Sequence, residues 1–237
     1  MGDPVTAFEF FGPAHIVAIA VALLTPFALA AFAKRFDVVT RSVIASALIL
    51  NFISYGIRAS VAGGLRWQEV LPFQLCDWTL IAVVIACING GRPRWLEVTY
   101  FWGIGGSLQA VLTPNLLYGF PDYRFVSFFV DHCGIVIGVT YLMLTRRFRP
   151  TLRSLWRTWL WSIAYLAVTL AVDHVTGVNY GFLLHKPEAF SILSYLSDWR
   201  PVYILQLNLL ALVFFAILYA PFAIYDACHR DRRTAQE

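Results

Sequence analysis

The chain has 237 residues, of which 59% are hydrophobic and only 14% charged, and its mean hydropathy is +0.67. These values exclude an ordinary soluble domain and predict an integral membrane protein. The formal net charge is +4, which we expect to face anionic lipid headgroups; we expect no nucleic acid partner.

Seven apolar runs approach the length of about 20 residues that a helix needs to cross the hydrocarbon core. Their uniform apolarity excludes the alternating strands of a membrane barrel. The sequence therefore predicts an all-α polytopic membrane protein, a single domain over residues 1–237 that forms a seven-transmembrane-helix bundle. The predicted helices cover residues 15–32, 42–61, 70–88, 95–112, 125–144, 155–172 and 202–223.

Lysine and arginine placement predicts the orientation of the bundle. Of the 18 Lys and Arg residues, 13 fall in the alternate gaps that follow the first, third, fifth and seventh helices. Four fall in the other gaps, and Arg58 lies near the outer end of the second helix, where it could snorkel. Because positive loops stay in the cytoplasm, we expect the N-terminus outside and the C-terminus in the cytoplasm.

The longest predicted loop, residues 173–201, is external in this orientation. It mixes the aromatic residues Tyr180, Phe182, Tyr195 and Trp199 with polar residues that include Asn179. Such a composition is typical of a lid or an interfacial re-entrant segment, or of a plain ordered loop among the headgroups.

Polar residues on several predicted helices share one depth. At 1.5 Å per residue, Cys76 lies about 9 Å and His132 about 10 Å below the outer surface. Most other polar residues of the predicted helices also lie in the outer half: Gln74, Asp77, Ser107, Gln109, Asp131, Cys133, Gln206 and Asn208, with Asn51 near mid-membrane. Because lipid-facing polar groups are strongly disfavoured, this pattern predicts an outward-facing cavity. A structural alternative exists for three of these residues when each is taken alone. Polar side chains of this kind also form hydrogen bonds that link neighbouring membrane helices, and this would apply to Asn51, Gln109 and Asn208.

A cysteine and a histidine at one depth are the minimum needed to form a thiolate nucleophile. Asp131 and Asp77 flank the pair and could orient the imidazole or carry protons. A metal at Cys76, His132 and Cys133 has no CxxC or HExxH spacing to support it, so we expect neither metal nor cofactor. We expect Cys87 and Cys228 to be structural, and Gly103, Gly105 and Gly106 to serve close helix contact.

An ordered series of motifs from the third to the seventh helix resembles the YwaF-type family of bacterial membrane proteins. That family is related to the animal transmembrane protein 164 acyltransferase, which is implicated in making polyunsaturated ether phospholipids. The matching motifs are LPFQLCD at 71–77, YFWG at 100–103, GSLQA at 106–110, TP at 113–114, RF at 124–125, DHCG at 131–134, NYGFL at 179–183 and KP at 186–187. The resemblance implies seven helices, a bacterial cytoplasmic membrane, and Cys76 and His132 as the catalytic pair.

These observations lead to the hypothesis of a membrane-embedded lipid acyltransferase or transacylase, with lipase activity as a variant. Catalytic roles fall to Cys76, His132, Asp131 and Asp77, and substrate or oxyanion binding to Gln74, Asn51, Gln109, Asn208 and Asn179. Membrane phospholipids would be both substrate and solvent, while the oligomeric state is left open. The alternative is a transporter, channel or lipid-binding protein with an Asp/His proton path. A retinal protein is excluded because Lys34 and Lys186 are the only lysines and both lie in predicted loops.

Overall fold

The computed structural model describes residues 7–61, 67–187 and 192–234, and within these ranges most of the chain is helical. Five of the described helices are long and apolar enough to cross a membrane. The prediction of an all-α membrane protein is therefore confirmed, while the number of spans and their orientation remain predictions. The helices are α1 (Pro13–Ala31), α2 (Ala33–Val61), α3 (Leu75–Ile88), α4 (Pro93–Trp102), α5 (Leu108–Leu112), α6 (Tyr123–Arg146), α7 (Leu152–Thr176) and α8 (Arg200–Thr234).

The chain divides into two compact units, Met1–Phe148 and Arg149–Glu237. That all 237 residues form one domain remains a prediction. In the first unit, α6 is the central helix and packs against α1, α2, α3 and α4. Buried aliphatic side chains of α2 and α3 meet α6 around Leu48, Val83 and Val139, whereas large apolar side chains such as Leu24 and Phe27 on α1 are exposed. An exposed apolar face of this kind suits contact with lipid.

Two glycines of α6 permit its close approach to its neighbours. A Cβ at Gly134 would lie 2.8 Å from Leu48 Cδ2, and a Cβ at Gly138 would lie 2.8 Å from Val83 Cγ1. Similarly, a Cβ at Gly103 would lie 2.7 Å from Val139 Cγ2. Small residues at these crossings let the backbones pack more closely than any side chain would allow.

The start of α3 differs from the prediction. The sequence predicts a continuous helix over 70–88, but a short 3₁₀ turn at Trp67–Val70 is followed by bends, and α3 begins only at Leu75. Pro72 explains the break, because a proline disfavours helical geometry at the preceding residue and cannot donate a backbone hydrogen bond. Non-helical backbone at membrane depth is tolerated only where protein or a water-filled cavity surrounds it.

The start of α2 also differs, because the helix begins at Ala33 and not at Ser42. Residue Phe36 departs from helical geometry, and beyond it Arg41 pairs with Asp37 one turn earlier, with 3.0 Å between Nε and Oδ2. An opposite-charge pair at this spacing supports a polar helical turn ahead of the apolar run.

The segment predicted as one helix at 95–112 consists of α4, a π-helical turn at Gly103–Ser107, and α5. The π turn is flanked by helical residues on both sides, so the segment stays continuous over 93–112. Single π turns inside α-helices are frequent at functional sites.

The N-terminal part of the first unit is tied to α5 by a fully buried histidine. His15 Nε2 lies 2.8 Å from the carbonyl oxygen of Val111, and the Phe11 backbone N–H donates to His15 Nδ1 over 3.0 Å. Because a carbonyl only accepts, the proton of this imidazole is on Nε2. Both ring nitrogens are thus used in structural contacts.

In the second unit, α7 packs against α8, and the segment between them is organised by hydrogen bonds. Buried Asp173 accepts a hydrogen bond from the Tyr180 backbone N–H over 2.9 Å, and the Tyr203 hydroxyl donates to the Phe182 carbonyl over 2.9 Å. Lys186 donates to Asp198 Oδ1 over 2.7 Å. Helix α7 continues to Thr176, so the connection is shorter than predicted, and its role as a lid stays a prediction.

Candidate functional site

The first element of the site is the N-terminus of α3. Gln74 is the N-cap residue, and its backbone N–H donates to Asp77 Oδ2 over 2.9 Å. Cys76 is therefore in the first helical turn, where backbone N–H groups have no carbonyl acceptor one turn earlier. The site thus places a thiol beside hydrogen-bond donors at the positive end of a helix dipole.

The second element is His132 in the first half of α6. Its Nε2 lies 3.2 Å from Cys76 Sγ, and its Nδ1 lies 2.8 Å from the carbonyl oxygen of Phe128, one turn earlier. Because the carbonyl can only accept, Nδ1 carries the proton and Nε2 presents a lone pair. The thiol therefore donates to the imidazole, which is the arrangement that a general base requires.

The imidazole is also held by stacking. The rings of Phe128 and His132 are 4.1 Å apart between centroids and 24° from parallel. Together with the carbonyl hydrogen bond, this contact fixes the direction of Nε2 towards the sulfur. Both Cys76 and His132 are only half-buried, so the pair is not sealed in the core.

The two predicted aspartates make hydrogen bonds to groups other than His132. Asp131 Oδ1 accepts from the Asn51 side-chain amide over 2.8 Å, and the same amide lies 3.0 Å from the Ser127 carbonyl oxygen and 3.1 Å from Ser127 Oγ. Asp77 caps α3, as described above. The orienting hydrogen bond that we expected from a carboxylate thus comes from the Phe128 backbone, and a charge effect of either aspartate stays a prediction.

Asn51 is consequently engaged in a bridge between α2 and α6. Its amide donors already face three acceptors on Ser127 and Asp131, so it would have to leave them to bind an oxyanion. Next to this bridge, Ser54 and Tyr123 share a hydrogen bond of 2.8 Å, and the Arg58 guanidinium lies 4.2 Å from the centre of the Tyr123 ring.

The sequence places Ser107 among the polar residues of the outer half of the membrane and predicts no role for it. Its side chain is 1% exposed and its Oγ makes no hydrogen bond within the described part of the chain. The hydroxyl nevertheless lies near the Cys76 sulfur, close enough to interact with it though outside hydrogen-bond geometry. The π turn that carries Ser107 packs against both α3 and α6. An orphaned buried hydroxyl beside a thiol calls for a functional explanation.

The other predicted binding residues have local partners. Gln109 is exposed and donates to Thr113 Oγ1 over 2.9 Å, and Gln74 is exposed as the cap of α3. In the second unit, Asn208 donates to the Ile204 carbonyl over 3.0 Å, and Asn179 organises the turn at 184–185. Their predicted roles in binding remain untested by this geometry.

The remaining cysteines differ from Cys76 in their surroundings. Cys87 is 1% exposed, Cys133 is buried with its Sγ 3.5 Å from the Ala18 carbonyl oxygen, and Cys228 is exposed. Within the described residues, no group of three or more His, Cys, Asp or Glu side chains could hold a metal ion.

Comparison with known proteins gives one result. The model of the TMEM164 family matches residues 10–219, which covers most of the chain and includes every element of the site. No curated protein and no solved structure matches the chain. The match is compatible with the YwaF-type resemblance, although it does not test that label. By this match, the chain belongs to the TMEM164 family.

Proposed function

We propose that this protein is a membrane-embedded lipid acyltransferase or transacylase in which Cys76 forms a thioester. The observation that supports the proposal most directly is the 3.2 Å contact between Cys76 Sγ and the unprotonated nitrogen of His132, oriented by the Phe128 carbonyl. Nucleophile, base and an orienting group in series are what covalent catalysis requires.

In the first half-reaction, His132 Nε2 takes the proton of the Cys76 thiol as the sulfur attacks the carbonyl carbon of a phospholipid ester. A carbon–sulfur bond forms, and the carbonyl oxygen becomes an oxyanion. Collapse of this intermediate breaks the ester carbon–oxygen bond, and Nε2 returns its proton to the departing lysolipid oxygen. The product is an acyl thioester on Cys76.

In the second half-reaction, His132 Nε2 takes the proton of an acceptor hydroxyl, whose oxygen attacks the thioester carbon. The carbon–sulfur bond breaks, and the leaving sulfur recovers the proton from Nε2. A lipid hydroxyl as acceptor gives acyl transfer, whereas water gives hydrolysis. The Nδ1–H stays on the Phe128 carbonyl throughout, so the ring keeps one orientation.

The oxyanion needs preorganised donors, and in this proposal they come from the first turn of α3 and from the π turn at Gly103–Ser107. The Cys76 backbone N–H has no carbonyl one turn earlier, and the orphaned Ser107 hydroxyl lies near the sulfur. Donors that have no ground-state partner need no reorganisation when charge develops. Ser107 therefore fits this role better than Asn51 or Gln109, whose amides already have acceptors.

The predicted orientation suggests the acyl donor. In that orientation the pair opens towards the outer leaflet, whereas acyl-CoA is cytoplasmic. A phospholipid donor, and thus transacylation, suits this position. The proton-path alternative uses Asp77, Asp131 and His132 but assigns no chemistry to the thiol.

The test is acyl exchange in vesicles that contain the purified full chain. A phosphatidylcholine with a deuterated acyl chain serves as donor, a lysophospholipid serves as acceptor, and mass spectrometry follows the label. We expect exchange with the wild type, and a loss of at least about 10³-fold in Cys76→Ala and His132→Ala. Intact-protein mass spectrometry should show an acyl adduct on Cys76 that hydroxylamine removes.

Matched controls come from the same chain. His229 makes the same local contacts as His132, with 2.8 Å between Nδ1 and the Tyr225 carbonyl oxygen and 3.9 Å between the stacked ring centres. His229→Ala and Cys228→Ser should therefore leave exchange unchanged. Full exchange by Cys76→Ala would overturn the thioester mechanism, and proton-coupled flux that survives in that variant would establish the transporter alternative.

A further inference from the structure

A cavity with cationic walls lies at the other end of α6, far from the Cys76–His132 pair. Its volume is about 370 Å³, and it is bounded by the end of α1, the start of α2 and the last turn of α6, around Lys34, Asp37, Arg146 and Arg147. Arg146 follows His132 by 14 residues, which is about 21 Å along a helix. The cavity is thus separate from the proposed catalytic site.

Asp37 is the one carboxylate of the cavity wall, and its charge is already compensated. It accepts from Arg146 over 2.7 Å, from Arg41 over 3.0 Å and from the Tyr141 hydroxyl over 2.9 Å. Arg146 is also held by the Gly90 carbonyl oxygen, 2.7 Å from its Nε. The network fixes the Arg146 guanidinium at the cavity wall. Two arginines thus already compensate the negative charge of Asp37.

Lys34 and Arg147 have no carboxylate partner among the ion pairs of the described residues, and both side chains are exposed. With Arg146 they bring three positive charges to a wall that has one negative charge, so the lining carries a net charge of +2. Arg147 ends α6 in the left-handed region, with φ of 49°. That conformation costs a non-glycine residue about 1 kcal/mol, and glycine is the usual residue there.

We propose that this cavity binds the phosphate group of an anionic phospholipid. A net charge of +2 attracts the phosphate diester of a lipid such as phosphatidylglycerol, whose headgroup carries no cation to compensate the phosphate, unlike that of phosphatidylcholine. Arginine presents a planar fork that suits phosphate oxygens, and basic pockets between membrane helices on the cytoplasmic side are typical sites of lipid headgroups. The predicted orientation puts this end of α6 in the cytoplasmic leaflet, where anionic lipids are concentrated.

The experiment measures binding to the purified full chain in neutral detergent, by the shift in melting temperature on titration. The probes are short-chain phosphatidylglycerol, short-chain phosphatidylcholine and inorganic phosphate. We expect phosphatidylglycerol to bind about tenfold more tightly than phosphatidylcholine, and Lys34→Gln/Arg147→Gln to remove that preference. Arg92→Gln/Arg94→Gln, which removes two exposed charges from another predicted cytoplasmic loop, is the matched control and should keep it.

An equal loss of affinity in both double variants would overturn the proposal, because general surface charge would then explain the binding. Binding of inorganic phosphate without binding of phosphatidylglycerol would also overturn it, since the ligand would be a soluble anion. The proposal is independent of acyl transfer. Cys76→Ser should bind phosphatidylglycerol as the wild type does, whatever its catalytic activity.

Discussion

Replacing Ser107 by alanine should separate catalysis from stability. The hydroxyl is 1% exposed and makes no hydrogen bond within the described residues, so the folded protein holds a buried polar group whose nearest polar contact is the weakly accepting Cys76 sulfur. Such a group costs about 1–3 kcal/mol, so its removal should leave the free energy of unfolding unchanged or increase it. Loss of an oxyanion donor, by contrast, typically lowers kcat by about 10²–10³-fold.

The assay combines deuterated acyl exchange in vesicles with the melting temperature in detergent. We expect Ser107→Ala to lower kcat for exchange by about 100-fold, with little change in KM, because the hydroxyl acts on the oxyanion and not on the bound ester. The melting temperature should stay at or above that of the wild type. Ser107→Thr, which keeps a hydroxyl, should retain more activity than Ser107→Ala.

Ser127 provides the matched control for stability. It is 2% exposed, but its Oγ lies 3.1 Å from the donating amide of Asn51, so Ser127→Ala removes a hydrogen bond that is made. The loss should lower the free energy of unfolding by about 0.5–1.5 kcal/mol. If Ser107→Ala exchanges acyl chains at the wild-type rate, or if it destabilises the protein as much as Ser127→Ala, the oxyanion role of Ser107 is refuted.

Three further predictions concern the fold and its orientation. His15→Leu should destabilise the protein by about 1–3 kcal/mol, because the Val111 carbonyl loses its buried hydrogen-bond donor. The melting temperature should fall, and a value equal to that of the wild type would contradict the structural role of His15. Gly138→Val should destabilise the protein by about 1–3 kcal/mol or prevent folding, since even the Cβ of the new side chain would lie 2.8 Å from Val83 Cγ1. A yield and a melting temperature equal to those of the wild type would contradict the close crossing of α3 and α6. Protease added outside intact cells should leave a tag at the C-terminus uncleaved, and protease added to permeabilised cells should remove it. Cleavage of the tag in intact cells would contradict the predicted orientation.

The membrane class and the helical fold could be derived from the sequence alone. A run of about 20 apolar residues in lipid must satisfy its backbone internally, and a helix is the structure that does so. The predicted depth of Cys76 assumed a helical rise from Val70, and that assumption is wrong because α3 begins only at Leu75. The 3.2 Å contact between Cys76 Sγ and His132 Nε2 is therefore a finding of the tertiary structure. The catalytic role of the pair stays a prediction.

Sequence position could not decide which way each polar side chain points around its helix. That direction depends on the neighbouring helices, and it was the tertiary structure that turned Asn51 towards Asp131 and left the Ser107 hydroxyl beside the Cys76 sulfur. The break before Leu75 also differs from the prediction, because the long apolar run favours a continuous helix whereas Pro72 interrupts it. Composition along the chain thus determined the class, an all-α membrane protein, while the number of spans and the depth of each residue stay predictions. Packing around α6 decided which groups meet, because hydrogen bonds need a direction as well as a depth.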